Sequence, residues 1–240
     1  MRMRKKKHGA QRLAAASELL FDYHGEPISD PGAAINMKGA PVYLEIGAGK
    51  GGFATKMARK HPMCAYFAME KVSDCVVLAT EKAMEEREEG RDNLRFIVDV
   101  ADNLSKIFEY GTIDKIFLNF SDPWSKKGYA KRRLTHRRYL SLYLNLLKDG
   151  GKICFKTDND ALFDFSLEEI AALGLSLDKM TRDLHKSEYN GGNVMTEYEK
   201  SFSDLGKSIN MLELTKPSDF KIEVPRELQK DYDKTVFFKK

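Results

Sequence analysis

The sequence predicts an α/β fold with a mainly parallel sheet, helices on both faces and an antiparallel edge. Three observations predict it. Short apolar runs alternate with helix-period segments over the first two thirds of the chain. Those runs are nearly continuous in apolar residues, as in strands buried on both faces. The last two strand-like stretches have no helix between them, so they pair antiparallel at one edge. A chain of 240 residues is long enough to bury a full core without disulfides or metals.

The first strand is Val42 to Ile46, ending in the cluster Gly47-Ala48-Gly49-Lys50-Gly51-Gly52. Phe53 to Arg59 reads as a helix, with Phe53, Met57 and Ala58 at helical spacing and Pro62 closing it. Ala65 to Met69 is the second strand, ending at Glu70. A long helix follows from about 72 to 89, stopped by Gly90, with a charged and solvated far half. Leu94 to Val98 and Ile113 to Phe120 are the third and fourth strands. A helix over 135–147 leads through the Gly150-Gly151 turn to a fifth strand, Lys152 to Lys156. Asp160 to Leu173 is helical, and 177–184 and 201–214 are the edge strands. The expected organisation is a basic arm over 1–40, a domain over 41–215 and an extension over 216–240.

Composition narrows the function. Hydrophobic residues at 42% and charged residues at 32% are ordinary globular values, which excludes disorder throughout. No run approaches the roughly 18 apolar residues of a membrane span. Ser17 and Glu18 break the apolar segment behind the basic N-terminus, so no secretory signal is expected. Cys64, Cys75 and Cys154 are far apart and form no CxxC, which argues against a disulfide framework or a thiolate metal site. A reducing cytoplasm is the expected location.

The charge is unevenly spread. Residues 1–12 carry Arg2, Arg4, Lys5, Lys6, Lys7 and Arg12 without an acid. Residues 126–138 carry Lys126, Lys127, Lys131, Arg132, Arg133, Arg137 and Arg138, again without an acid. The rest of the chain has 27 basic and 36 acidic residues. Two basic patches on an acidic body suit a polyanion held at chosen places.

Gly47, Gly49 and Gly52 match GxGxxG at a strand-to-helix turn. Gly51 after Lys50 excludes a P-loop, which needs Ser or Thr there. An adenosine-containing cofactor remains. Glu45, at the strand end, would repel a pyrophosphate but suits S-adenosylmethionine, whose ammonium and sulfonium are positive. Glu70 ends the second strand, where a carboxylate accepts hydrogen bonds from ribose hydroxyls. Asn119-Phe120-Ser121-Asp122-Pro123-Trp124 ends the fourth strand beside the same crevice. Asp122 points negative charge there, and the Lys/Arg run follows at once: an acid for a base, next to a track for phosphates. Asp158 ends the fifth strand, with a helix N-cap as its simpler role. By periodicity Thr196 to Glu199 is an ordinary edge segment.

These stretches resemble the tRNA (guanine-N7-)-methyltransferase family of the bacterial single-chain type. The resemblance is carried by Leu44 to Gly51, Met69-Glu70, Asn119 to Lys127 with Lys131 to Leu134, Phe155 to Asp158 and Asn193 to Glu199. It covers nearly the whole chain, from Arg2 to Leu214. It implies a Rossmann-like class I methyltransferase fold and transfer of a methyl group from S-adenosylmethionine to guanine N7 in the tRNA variable loop. It implies Glu45, Gly47, Gly49, Glu70, Asp99, Val100 and Asp122 on the cofactor side, with Asp122 also catalytic. Lys126, Asp158, Thr196, Glu197, Tyr198 and Glu199 are implied on the substrate side. Lys127, Gly128, Tyr129, Lys131, Arg132 and Arg133 are implied as RNA contacts. The expected partner is tRNA, with no membrane, no metal and no obligatory protein partner, the chain acting as a monomer or homodimer.

The chain departs from the family pattern at three places. Val100 stands where the family places Asp or Asn, with Asp99 one position earlier. Gly128-Tyr129 stands where Arg-His is frequent, and the tail from Lys216 is longer. Other readings are methylation of an exocyclic base amine, a nicotinamide-dependent dehydrogenase and a non-catalytic RNA-binding module. Asp122-Pro123-Trp124 lacks the second proline of exocyclic-amine enzymes, and Glu45 opposes the dehydrogenase.

Overall fold

The computed structural model describes residues 5–23, 25–87, 92–218 and 220. Seven strands form one sheet: β1 Val42–Ile46, β2 Ala65–Met69, β3 Leu94–Ile97, β4 Ile113–Asn119, β5 Leu147–Thr157, β6 Lys179–Thr181 and β7 Asn210–Thr215. Their order is β3-β2-β1-β4-β5-β7-β6. The first five pair in parallel, and β7 runs antiparallel to both β5 and β6. The antiparallel edge expected from the sequence is present.

Both faces of the sheet are covered, which explains the continuous apolar strands. The helices are α1 Gly9–Ala15, α2 Gly52–Lys60, α3 Ser73–Glu85, α4 Leu104–Ile107, α5 Arg137–Leu146, α6 Asp160–Ala172 and α7 Glu197–Ser203. Leu44, Ile46, Phe67 and Leu118 point to one face and pack with Leu140, Leu144 and Phe163 of α5 and α6. Tyr66, Ala68, Phe96 and Phe117 point to the other and pack with Phe53 and Met57 of α2 and Val76 of α3. The chain order reverses between β1 and β4, and there the carboxyl ends of the strands open a crevice.

Several boundaries differ from expectation. Gly150-Gly151 lies inside β5, at a register shift against β4, rather than before the strand. A Cβ on Gly151 would sit 2.8 Å from the Lys148 carbonyl oxygen, so the kink needs glycine there. The expected strand over 201–214 is real only from Asn210; residues 197–203 are α7. Its signal was local: Thr196 caps the Glu199 amide and the Glu199 side chain reaches back to the Thr196 amide, a capping box. The long helix ends at Glu85, with Glu86 as its C-cap, short of the expected end at Glu89; Gly90 and nearly all of the extension over 216–240 lie outside the described residues.

The described part of the arm packs on the domain. The Arg12 guanidinium donates to both Glu81 carboxylate oxygens, at 2.6 and 2.7 Å. The Phe21 amide donates to the Phe96 carbonyl at 2.8 Å, and Leu19 is buried in the core around Phe96. Charge on the far half of α3 and just beyond it is therefore paired: Glu81 with Arg12, Lys82 with Glu197, and after the helix Arg87 with Glu18 at 2.8 Å.

Candidate active site

Gly47 and Gly49 turn the chain out of β1 with φ of 84° and 56°. A Cβ at either would meet nothing within 4 Å, so backbone sign alone demands glycine and the space beside the loop stays open. Glu70 fixes this loop from the end of β2. Its carboxylate accepts the Gly49 amide at 3.0 Å and the Val72 amide at 2.9 Å. Glu45 is buried at the foot of the loop, 2% exposed. One of its oxygens accepts from the Asn119 amide group at 3.0 Å, and the other is buried without a partner. Burial raises the Glu45 carboxyl to about 7, against the Asn119 bond and the attraction of Lys156.

A cleft of about 410 Å³ opens over these strand ends, lined by Gly47, Glu70, Asp99, Val100 and Asp122 among others. Asp99 and Val100 thus stand together at the end of β3. The Asp99 carboxylate is already engaged: it accepts from the Tyr23 hydroxyl, from Asn103 at 2.7 Å and from the Val100 amide at 2.6 Å. Burial pushes the Asp99 carboxyl up, and these donors together hold it below its ordinary value. Tyr23 was not legible as a site neighbour, because nothing in its local sequence brings it to β3.

Asp122 sits on a strained turn. Phe120 and Trp124 on either side have φ of 51° and 42°, values that cost non-glycine residues about 1–3 kcal/mol each. Two anchors hold them. The Phe120 amide donates to the Lys156 carbonyl at 2.9 Å. The Arg133 guanidinium donates to the carbonyls of Pro123 and Trp124, at 2.9 and 3.2 Å. The Asp122 side chain is 70% exposed and stands 3.8 Å from the Lys71 ammonium. The strain aims a carboxylate into the cleft and leaves it open on one side.

Asp158 stands at the end of β5, but the cap of α6 is Asn159, whose side chain accepts from the Leu162 amide at 2.8 Å. Asp158 is thereby free of the capping role; burial first, and then the nearby Asp158 charge, raise the Tyr198 hydroxyl, and Asp158 meets Lys207 at 3.5 Å. Tyr198 stacks on Phe202 and meets Phe120 at a tilt, with ring centroids at 4.3 and 5.0 Å. Thr196 and Glu199 are buried in the capping box, while Glu197 points outward to Lys82. Both Glu199 oxygens are engaged, with Lys156 at 2.6 Å and with Asn193 at 2.6 Å.

The basic run is divided in use. Arg133, Arg137 and Arg138 fold back: Arg137 forms two bonds to Glu169, both 2.9 Å, and Arg138 meets Asp102 at 2.9 Å. Lys126, Lys127, Gly128, Tyr129, Lys131 and Arg132 are exposed. The Arg132 guanidinium lies over Tyr129 and Trp124, 4.6 and 5.0 Å from the ring centroids. Arg132 lines the cleft, and Lys126, Lys127 and Lys131 extend the exposed positive charge along the same short segment.

A glycine loop, two strand-end acids and an open crevice beside them, on this sheet order, define a Rossmann-like class I methyltransferase. Solved structures agree at the level of fold. The 16S rRNA methyltransferase KamB aligns with a TM-score of 0.55 at 13% identity, covering 74% of this chain and 88% of that one. An antibiotic-related methyltransferase aligns with a TM-score of 0.51 at 17% identity, covering 73% and 86%. A family model described as "Putative methyltransferase" matches residues 39–212. The tRNA (guanine-N(7)-)-methyltransferase of Lachnoclostridium phytofermentans is 46% identical over 172 residues, 72% of this chain and 79% of that protein. Its namesake in Macrococcus caseolyticus is 43% identical over 173 residues, 72% and 80%. The chain belongs to the tRNA (guanine-N7-)-methyltransferase family. Its cofactor is S-adenosylmethionine, and the unpartnered buried oxygen of Glu45 suits a cofactor that carries positive charge.

Proposed function

We propose that this chain methylates N7 of a guanine in the tRNA variable loop, and that Asp122 is its catalytic residue. The observation that carries the reading is an open carboxylate, Asp122, in a cleft whose strand-end acids Glu70 and Asp99 are engaged by the Gly49 and Val72 amides and by Tyr23, Asn103 and the Val100 amide. Glu45, Gly47, Gly49, Glu70, Asp99, Val100 and Asp122 would hold the cofactor. Tyr23 occupies the Asp99 carboxylate, so contacts to the adenine fall to the backbone around Val100. When bound, S-adenosylmethionine supplies a methyl carbon activated by a sulfonium.

Guanine N7 carries a free lone pair at neutral pH, so no side chain is needed to remove a proton. The protein's work is then positioning and electrostatics. Asp122 sets negative charge where the purine gains positive charge, without reorganising during the reaction. Asp158 accepts hydrogen bonds from the guanine N1–H and amino group, which selects guanine over adenine. Glu199, whose oxygens are engaged inside the protein, shapes the segment Thr196 to Tyr198 from below. Phe120 and Tyr198 offer aromatic surface to a base taken out of its stack, which costs a few kcal/mol. Phosphate contacts at Lys126, Lys127, Lys131 and Arg132 offset that cost. The cysteines Cys64, Cys75 and Cys154 are unpaired, which suits a reducing cytoplasm.

The test is incubation of unmodified tRNA with methyl-labelled S-adenosylmethionine, followed by nucleoside analysis. Label is expected in 7-methylguanosine at one variable-loop position. Label on an exocyclic amine would overturn the reading. Asp122→Asn is expected to lower turnover about a hundredfold or more, with S-adenosylhomocysteine affinity changed only a few-fold. Near-normal turnover would remove Asp122 from catalysis.

A further inference from the structure

Lys156 was met in the sequence only as part of a matching stretch, yet it holds a central place. It lies beside Asn119 in the β4–β5 register, on the sheet face that also carries Glu45. Its side chain is 8% exposed. The ammonium donates to Glu199 at 2.6 Å, to the Asn193 side-chain oxygen at 3.0 Å and to the Val194 carbonyl at 3.0 Å. All three N–H groups are thereby used.

The two ends of this network belong to different parts of the site. At one end, Glu199 gathers the segment that precedes and begins α7. It takes the Asn193 amide group at 2.6 Å and the Thr196 amide at 3.3 Å, and meets the His185 ring at 2.9 Å. At the other end is Glu45, tied to Asn119 at 3.0 Å and drawn electrostatically to Lys156. Lys156 is therefore hydrogen-bonded to Glu199 and not to Glu45, which stands on the same sheet face and is bonded to Asn119, the register neighbour of Lys156. An ionised Glu45 attracts the ammonium against its pull toward Glu199. Positive charge brought to the unpartnered oxygen of Glu45 offsets that attraction, and the segment from Asn193 to Glu199 is held more firmly.

We propose that Lys156 is a positioning residue that couples cofactor occupancy at Glu45 to the grip of the segment Asn193–Glu199 on the target base. The proposal rests on the reading of Glu45 as a cofactor-side acid and of Thr196 to Glu199 as substrate-side. A purely structural ion pair would stabilise the fold but would not link the two binding events.

The experiment measures tRNA affinity with and without saturating S-adenosylhomocysteine, for the wild type, Lys156→Met and Lys156→Arg. This compound carries the amino-acid ammonium and has no methyl group to transfer. In the wild type it is expected to tighten tRNA binding about fivefold or more, a typical size for coupling between sites. The ratio is expected to fall to about one in Lys156→Met and to be largely kept in Lys156→Arg. Without RNA, the compound is expected to slow amide exchange over 196–203 in the wild type and not in Lys156→Met. Should Lys156→Met fail to fold, Glu45→Gln breaks the network at its other end and is expected to give the same loss of coupling. An unchanged ratio in a folded Lys156→Met, or a wild-type ratio of one, would overturn the proposal while leaving the cofactor site in place. Wild-type affinity of Glu45→Gln for S-adenosylhomocysteine would instead overturn the reading of Glu45, and the proposal with it.

Discussion

Glu45 shows how a single carboxyl makes the site responsive to pH. It is buried, its free oxygen has no partner, and burial lifts it from an ordinary 4.5 to about 7. Below that value the folded, cofactor-free protein holds a proton that the unfolded chain releases near 4.5. This group therefore adds stability at acid pH that is lost as pH rises from about 4.5 to 7. A cation at Glu45 favours the ionised form, so cofactor affinity should move the opposite way. S-adenosylhomocysteine is expected to bind about tenfold more tightly at pH 8 than at pH 6, with proton release at pH 6. Titration calorimetry in two buffers of different ionisation enthalpy reads both. Equal affinities and no buffer dependence would contradict the burial argument. Glu45 and Glu70 were legible in the sequence, because a strand end before a glycine loop fixes where such a side chain must lie. The partners of Glu199 and Asp99 were not, since a residue's long-range bonds leave no local pattern.

The element that carries the proposed catalytic carboxylate is the turn from Asn119 to Trp124. Of its two left-handed residues, Phe120 is anchored on the Lys156 carbonyl and Trp124 is kept by Arg133, whose guanidinium is committed to the carbonyls of Pro123 and Trp124. Counting positive charges made Arg133 look like its neighbours Lys131 and Arg132. Folding separates them, because a run of Lys and Arg does not say which side chain turns inward. Arg133→Ala is expected to relax the turn and lower kcat about tenfold or more. The KM for tRNA and its salt dependence should stay near wild type. A changed salt slope with normal kcat would make Arg133 an RNA contact after all. The segment 196–203 teaches a related lesson. Thr196-x-x-Glu199 is a local helix-start signal, and the apolar content of the following strand concealed it.

Across the whole molecule, the mainly parallel sheet and its covered faces followed from strand–helix alternation, since only a buried parallel sheet suits such strands; the order of the strands did not. The packing of the arm through Arg12 and Leu19 did not follow, because it depends on surfaces that fold far apart in sequence. The body is acidic and the exposed segment from Lys126 to Arg132, which reaches the cleft at Arg132, is basic, so RNA should approach that side. Changing Lys126, Lys127, Lys131 and Arg132 together to Ala is expected to weaken tRNA binding. It should also lower the slope of log affinity against log salt by up to about 4 × 0.7 to 0.9. An unchanged slope would place the RNA elsewhere.

The most direct measurement is a crystal structure after soaking with S-adenosylhomocysteine. The compound should lie in the cleft over Gly47 and Glu70, beside Asp122, with its ammonium toward Glu45. Density instead in the separate cavity lined by Cys154, Tyr189 and Glu213 would contradict the assignment of the site.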